Sequence, residues 1–569
     1  MIDNRPTFSG FDGEVGSELE CLPYAVHHSD EGICLLVRMG PHRILLDCGL
    51  TDLSILQAEL KQPFPADLVL CTHAHPDHAR GLLALHQAFP LLPIYASEVT
   101  TQLLPLNWPD VDSKQIPQFC QALPWRSPIE FQSGLVGEIF PAGHLPGAAA
   151  ILLTYTTERS SYTLLYTGDF FLSNSRLVEG LPLEQLRGLE PDVLIIEGSY
   201  GTARHSHRRN QENQLAEQIN RAIAASHSIL LPTQTLGLGQ EILMLLRSHH
   251  NFTGRDLDIW VDGSIATGCD AYLKILPHLP ASVQNFARHQ PLFWDERVRP
   301  RMRRLQPEQR RSVGQSPCII ITDETADLSE YCQLNTGPWL ILLPEKPGSP
   351  LNTDLYIARL QRDSESNLKP DPSPQIDIKT YLLAQHSDGP GITQLIHNLR
   401  PKHVVFVHGS PTYLADLTSL EELQSRYHLH SPAAGTLVEL PIGDIFLQPA
   451  PPETNYEGEL NEMGTVVTIT LPDAISADPR WRNFADTGLV EARWQGEELS
   501  LRGLSQRELM NQSSDRFISA DLSCCGNCRF RLGQRCSNPT SPLFGFKVTP
   551  EGQCPAFERL GELPPANSP

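Results

Sequence analysis

An α/β fold is predicted for this chain by three observations. Short apolar runs alternate with helix-period patterns over roughly the first 200 residues. Four side chains of metal-ligand type crowd the point where one of these runs ends, between His73 and His78. The alternation of strand and helix then resumes from Asn210.

The elements follow in order. Ile33 to Arg38 and Arg43 to Asp47 read as paired strands about the turn Gly40-Pro41. Leu68 to Cys71 is a strand, with a helix expected to start near His78. Tyr162 to Thr167 and Val193 to Ile196 are further strands. Leu215, Ile219 and Ile223 recur every four residues and share one helix face. A strand at Ser228 to Pro232, a helix from Gly239 to about Arg247 and a strand at Asp258 to Asp262 make a second α/β unit. Residues 361–375 turn polar and carry Pro370, Pro372 and Pro374, which marks a boundary. Strands return at Ile376 to Leu383 and His403 to Val407. The proline-rich stretch Pro441 to Pro452 opens a C-terminal region, where Val466 to Leu471 is strand-like.

A length of 569 residues is too great for one core and implies two to four domains. Hydrophobic residues at 40% and charged residues at 19% exclude wholesale disorder. No apolar run is long enough to span a bilayer, and Met1 to Gly10 lacks the pattern of a signal peptide, so a cytoplasmic location is the default expectation. The net charge of −22 does not attract nucleic acid over the whole surface; a polyanionic substrate would need a local basic cleft or a bound metal. Of 13 cysteines, the eight from Cys21 to Cys332 read as buried thiols.

The string His73-Ala-His75-Pro-Asp77-His78 follows a strand and precedes an amphipathic helix. Alternating residues of a strand-end loop point to two neighbouring positions, so His73 and His75 can serve one metal, and Asp77 and His78 a second. Imidazole and carboxylate are ligands that zinc accepts. A lone histidine in a loop is an ordinary surface residue; four ligands in this order favour metal. His144, Asp169 and His408 each follow a predicted strand as well, and strand carboxyl ends are where binding sites collect in α/β sheets. Asp169 has two oxygens and could bridge two ions.

This order of motifs resembles the metallo-β-lactamase superfamily, and Asp47 in Leu-Leu-Asp47-Cys-Gly resembles its early outer-shell aspartate. Glu197 in Ile-Ile-Glu197-Gly-Ser-Tyr-Gly, His386 in Gln-His386-Ser-Asp and His408 in Val-His408-Gly resemble the β-CASP branch, which includes RNase J-like and cleavage-and-polyadenylation-factor-like nucleases. The resemblance implies an αββα sandwich with an inserted α/β domain and a small Cys-rich C-terminal domain. It places the sandwich at 1–200 and 376–440, the insertion at 201–375 and the C-terminal region at 441–569. It implies two zinc ions, one on His73, His75 and His144, the other on Asp77, His78 and His408, with Asp169 bridging. It gives Asp77, His386 and Glu197 catalytic roles, with His386 meeting the scissile phosphate or the leaving group and Glu197 orienting it. Alone, Glu197 would read as a helix cap or a solvated carboxylate. Leu238, Thr322 to Asp327, Ala384 and Ser410 depart from the branch pattern, all at contacts to substrate.

The resemblance points to a ribonuclease in which two metals activate a shared water. A hydrolase of thioesters or lactones and a non-catalytic RNA-binding subunit are the competing functions. For RNA, seven arginines between Arg297 and Arg311 offer a local basic patch, with Arg301, Arg303 and Arg304 as the candidate phosphate contacts. The alternative for the run is a solvated helix face. The cluster Arg204 to Arg209 is expected to border the site. Near the C-terminus, Cys525, Cys528, Cys536 and Cys554, with Cys524 as a spare, could fold a short segment around a structural zinc or an iron–sulfur cluster. The same region is the expected surface for a second copy or a partner protein.

Overall fold

The structure is a computed structural model. It describes residues 18–26, 32–58, 65–332, 337–345 and 376–442, and short stretches between 459 and 558. Compactness divides the chain after Ala450.

The first unit contains two seven-stranded sheets. One runs through Leu19–Val26, Ile33–Met39, His42–Leu46, Leu68–Leu70, Ile94–Ser97 and Cys120–Leu123, with Val438–Glu439 on the outside. The other runs through His428–His430, His403–Val407, Val193–Glu197, Ser161–Tyr166, Ala149–Thr156, Leu135–Pro141 and Ile129–Gln132. Side chains alternate across a strand. Ile33, Leu35, Ile44, Leu46, Leu68 and Leu70 from the first sheet therefore share one buried cluster with Ile139, Ile151, Leu164, Ile195 and Val405 from the second. The opposite faces, with Cys34, Leu36, Leu45, Val69, Leu165, Leu194 and Val404, pack against helices in a second cluster. This is the expected sandwich of two sheets between helical layers.

A third sheet of six strands, all parallel, has the order Arg301–Arg304, Asp258–Val261, Ile319–Asp323, Ser228–Thr233, Trp339–Pro344, Ile376–Tyr381. Helices Arg208–Ala224, Leu238–Ser248 and Gly263–Lys274 accompany it. The strand Ile376–Tyr381 pairs with Trp339–Pro344 and so belongs to this sheet rather than to the returning sandwich. The boundary stretch 361–375 lies outside the described residues.

Two local readings are corrected. The helix expected near His78 is a single turn, Pro76–Ala79, followed by a separate helix Leu82–Ala88. The break falls at Gly81, where a Cβ would meet Leu50 O at 2.7 Å and Cys48 Sγ at 2.8 Å. The arginine run forms an edge strand, Arg301–Arg304, not a helix face.

Close backbone packing fixes the loop carrying the histidine string. A Cβ on Gly49 would stand 1.7 Å from Asp77 O. A Gly49→Ala substitution must therefore push the Asp77 turn outward. Overpacking of this kind costs about 3 kcal/mol, and urea unfolding of the variant is expected to show a loss of that size.

In the second unit, strand pairs form between Glu459–Met463 and Val466–Thr470, Val490–Gln495 and Glu498–Gly503, and Arg531–Leu532 and Arg535–Cys536. Cys528 and Cys536 are buried. Cys524, Cys525 and Cys554 lie outside the described residues.

Candidate metal centre

Parallel strands bring the site together. Ser161–Tyr166, Val193–Glu197 and His403–Val407 run parallel side by side, so Asp169, Glu197 and His408 leave the sheet at one edge. His42–Leu46 and Leu68–Leu70 are also parallel neighbours and deliver Asp47 and His73. His144 follows Leu135–Pro141, and His386 comes just after the edge strand of the six-stranded sheet. Ser387 N donates to Phe170 O at 3.0 Å, which holds the His386 segment against the Asp169 loop.

The predicted ligands converge. His73 Nε2 and His144 Nε2 lie 3.2 Å and 3.0 Å from His75 Nδ1. The two oxygens of Asp169 divide between two groups of imidazoles. Oδ2 is 3.5 Å from His73 Nε2 and 3.6 Å from His144 Nε2; Oδ1 is 3.3 Å from His78 Nε2 and 3.0 Å from His408 Nδ1. His408 Nε2 lies 3.2 Å from Asp77 Oδ2. Among the described residues three overlapping donor sets capable of holding a cation result: His73, His75, His144 and Asp169; Asp77, His78 and His408; and Asp169, Glu197, His386 and His408.

The outward nitrogens are anchored. His75 Nε2 is 3.3 Å from Leu236 O and His144 Nδ1 is 2.9 Å from Gln385 O. His73 Nδ1 is 3.1 Å from Thr72 Oγ1 and His78 Nδ1 is 2.8 Å from Asp47 Oδ2. This outer shell turns the remaining nitrogen inward and fixes its tautomer, as metal-ligating imidazoles require. Asp47 is fully buried with a positive φ of 58° and accepts from Thr72 N at 2.7 Å and Tyr166 OH at 2.8 Å. In an Asp47→Asn variant an amide N–H must face one of these donors. Loss of such an outer partner weakens metal binding about 10- to 100-fold, and chelator competition is expected to show it.

The electrostatics fit a cation. His78 Nε2 and Asp169 Oδ1 are buried and make no hydrogen bond. Among the described residues, the charge-bearing partners of Asp47, Asp169 and Glu197 are all histidines. Buried carboxylates require compensating positive charge. Burial lowers His73, His75 and His144, the last to about 3, which leaves these rings neutral and ready to ligate. Burial also opposes the charged form of His408, but Asp169 and Asp77 outweigh it and push His408 up to about 10. Protons thus fill the positions that the carboxylates hold for metal. The residues fit a zinc pair.

His386 and Glu197 stand together beside this cluster. Glu197 is a buried strand-end carboxylate, not a cap or solvated group; Oε1 accepts from Phe170 N at 2.6 Å and Oε2 from His386 Nδ1 at 2.8 Å. Burial works against charge on His386, yet Glu197 and then Asp169 raise it above its ordinary value. Arg208, from the Arg204 to Arg209 cluster, borders the site as expected: it is buried and donates to Ala384 O, two residues before His386.

Arg301, Arg303 and Arg304 are not brought into the cluster. Arg301 pairs with Asp256 and Asp258; Arg303 lies 3.6 Å from Glu296 and over Trp260; Arg304 pairs with Asp270 and lies over Trp294. Acidic side chains occupy the forks that phosphate would need. Sequence reasoning also passed over Ser199, a buried hydroxyl among Glu197, His386 and His408. The only signal for it was its place two residues after Glu197.

A two-sheet sandwich with two adjoining His/Asp donor sets at its strand ends defines a metal-dependent hydrolase. The chain belongs to the metallo-β-lactamase superfamily, in its β-CASP branch. Residues 32–215 match the model described as metallo-beta-lactamase superfamily, and residues 375–429 match the Zn-dependent metallo-hydrolase RNA specificity domain. Over 558 residues the chain is 50% identical to "Uncharacterized protein sll0514" of Synechocystis sp., covering 96% of this chain and 98% of the relative. It is 25% identical over 407 residues to "Probable RNase MJ4" of Methanocaldococcus jannaschii, covering 66% and 90%. It is 28% identical over 264 residues to "Ribonuclease TTHA0252" of Thermus thermophilus, covering 44% and 59%. Among the described residues, no helix is long and apolar enough to cross a membrane.

Proposed function

We propose that the chain is a zinc-dependent ribonuclease whose centre holds two ions. The observation that carries the two-ion reading is the division of Asp169, one oxygen toward His73 and His144 and the other toward His78 and His408. One ion is assigned to His73, His75 and His144, the other to Asp77, His78 and His408. Zinc bound there would supply an activated water and stabilise charge on a non-bridging oxygen. The match of residues 375–429 to an RNA specificity domain and two ribonuclease relatives support RNA as the substrate.

The chain's own groups supply the rest of the chemistry. His386, held protonated by Glu197, donates a proton to the leaving oxygen. Glu197 keeps the His386 ring oriented through Nδ1 and leaves Nε2 for the substrate. Asp77 completes the second donor set. The insertion is assigned to the six-stranded sheet and its helices. Cys525, Cys528, Cys536 and Cys554 are assigned to a structural zinc in the C-terminal region, supported by the burial of Cys528 and Cys536.

The test offers labelled RNA, single-stranded DNA and a thioester panel to zinc-loaded protein and to its Asp77→Ala variant. RNA cleavage that is lost in the variant supports the proposal. Turnover of a thioester without RNA cleavage overturns it in favour of small-molecule hydrolysis. Metal binding with neither activity favours a non-catalytic subunit. Zinc in the C-terminal region leaves the visible spectrum empty, whereas an iron–sulfur cluster would colour the protein.

A further inference from the structure

Each imidazole of the cluster so far has an outer partner: Thr72 for His73, Leu236 O for His75, Asp47 for His78 and Gln385 O for His144. His408 is the remaining ring, and Ser199 stands in the corresponding place. Ser199 Oγ lies 3.0 Å from His408 Nδ1, while His408 Nε2 faces Asp77 at 3.2 Å. The same hydroxyl donates to Glu197 Oε2, the oxygen that accepts from His386 Nδ1. It is 1% exposed, so water does not substitute for it.

The proton count gives each atom a role. A serine hydroxyl has one proton to give and two lone pairs to receive. Glu197 Oε1 accepts from Phe170 N and Oε2 faces His386 Nδ1, so both oxygens of this carboxylate serve as acceptors. His408 O, at 3.1 Å, is a second acceptor within reach of Ser199. A charged acceptor binds the proton more strongly than a neutral carbonyl, so the Ser199 proton goes to Glu197. The His408 Nδ1 that meets Ser199 must then be a donor. Its Nε2, which faces Asp77 Oδ2 at 3.2 Å, is then the nitrogen whose proton a cation in that donor set would replace. Asp169 Oδ1 also lies 3.0 Å from His408 Nδ1, but that oxygen makes no hydrogen bond.

We propose that Ser199 is a positioning residue that couples the ligand His408 to the Glu197–His386 pair. One hydroxyl sets the His408 tautomer and steadies the carboxylate that orients His386. The catalytic half of this inference rests on the ribonuclease reading; the ligand half rests on the donor set alone.

The experiment compares wild type, Ser199→Ala and Ser199→Thr, the last keeping the hydroxyl. Zinc affinity is read by chelator competition, kcat and KM on RNA at saturating zinc, and thermal unfolding on metal-free protein. For Ser199→Ala, zinc affinity is expected to fall about 10- to 100-fold. Its kcat is expected to fall about tenfold with KM unchanged, the pattern of an interaction that acts on the chemical step. Ser199→Thr is expected to restore both. Unchanged zinc affinity in Ser199→Ala overturns the ligand role, and unchanged kcat at saturating zinc overturns the coupling. Equal losses in both variants, matched by equal drops in unfolding temperature, reduce Ser199 to packing and overturn both. If wild type cleaves no RNA, the ribonuclease reading fails while the zinc arm still decides the ligand role.

Discussion

An Asp169→Ala variant is expected to lose zinc from both positions and RNA cleavage by about 10³-fold or more. Asp169 is 2% exposed, and its oxygens serve both histidine groups. Removing it takes the shared ligand from two ions at once. A metal pair contributes several kcal/mol of charge stabilisation in the transition state, and each 1.4 kcal/mol is worth tenfold in rate. The variant also tests the two-ion reading against one ion. Elemental analysis should find close to no zinc in the first unit, whereas a His144→Ala variant, which touches only one donor set, should keep part of it. Retention of both ions without Asp169 would sink the assignment of a bridge. The apo protein adds a control. Asp169 is buried, which opposes its charge, but His408 and His78 hold it well below the usual carboxylate range. Its contribution to folding is therefore present above the ordinary carboxylate pKa and is lost as pH falls.

What could be read from the chain depended on whether the chemistry was local. The ligand string from His73 to His78 is compressed into one loop, and Asp169 and His408 each follow an apolar run, so residue type and position carried the information. Ser199 carried almost none, only its place two residues after Glu197. Hydroxyls are common, and its partners His386 and His408 are 187 and 209 residues away. Counting arginines missed their acidic partners for a related reason. Arg301, Arg303 and Arg304 are adjacent in sequence, but Asp256, Asp258, Asp270 and Glu296, which fold against them, are not counted in a run of like charge. Glu197 was ambiguous alone because a cap and a buried strand end look the same until His386 arrives from 189 residues away. The α/β class was legible from alternation, and the sandwich only through the resemblance that the motifs carry. The extent of the inserted sheet was less so, because Ile376–Tyr381 has the same strand pattern whichever sheet it joins.

A His386→Ala variant is expected to keep both zinc ions and lose about 10²- to 10⁴-fold in kcat, the range a positioned general acid supplies. This separates it from Asp169→Ala, which loses metal and rate together. His386 borders the two assigned donor sets, 3.8 Å from Asp169 Oδ2, without belonging to either, and its Nδ1 is committed to Glu197 at 2.8 Å. The pH profile gives a second reading. Burial opposes the His386 charge, but Glu197 and Asp169 raise its pKa above 6.5, so the proton it donates is present at neutral pH and lost as pH rises. The alkaline limb of the wild-type rate profile should therefore vanish in the variant. Linkage in the metal-free protein follows the same signs. The His386 contribution to stability is complete below 6.5 and is lost as pH rises through its raised value. The Glu197 contribution is complete above 4.5 and is lost as pH falls to about 2. The stability difference between wild type and His386→Ala should thus be largest from about 4.5 to 6.5 and shrink on either side. A substrate with a leaving group that needs no proton should narrow the kcat gap between the two proteins. If the gap stays the same, His386 is not the general acid and acts on the phosphate alone.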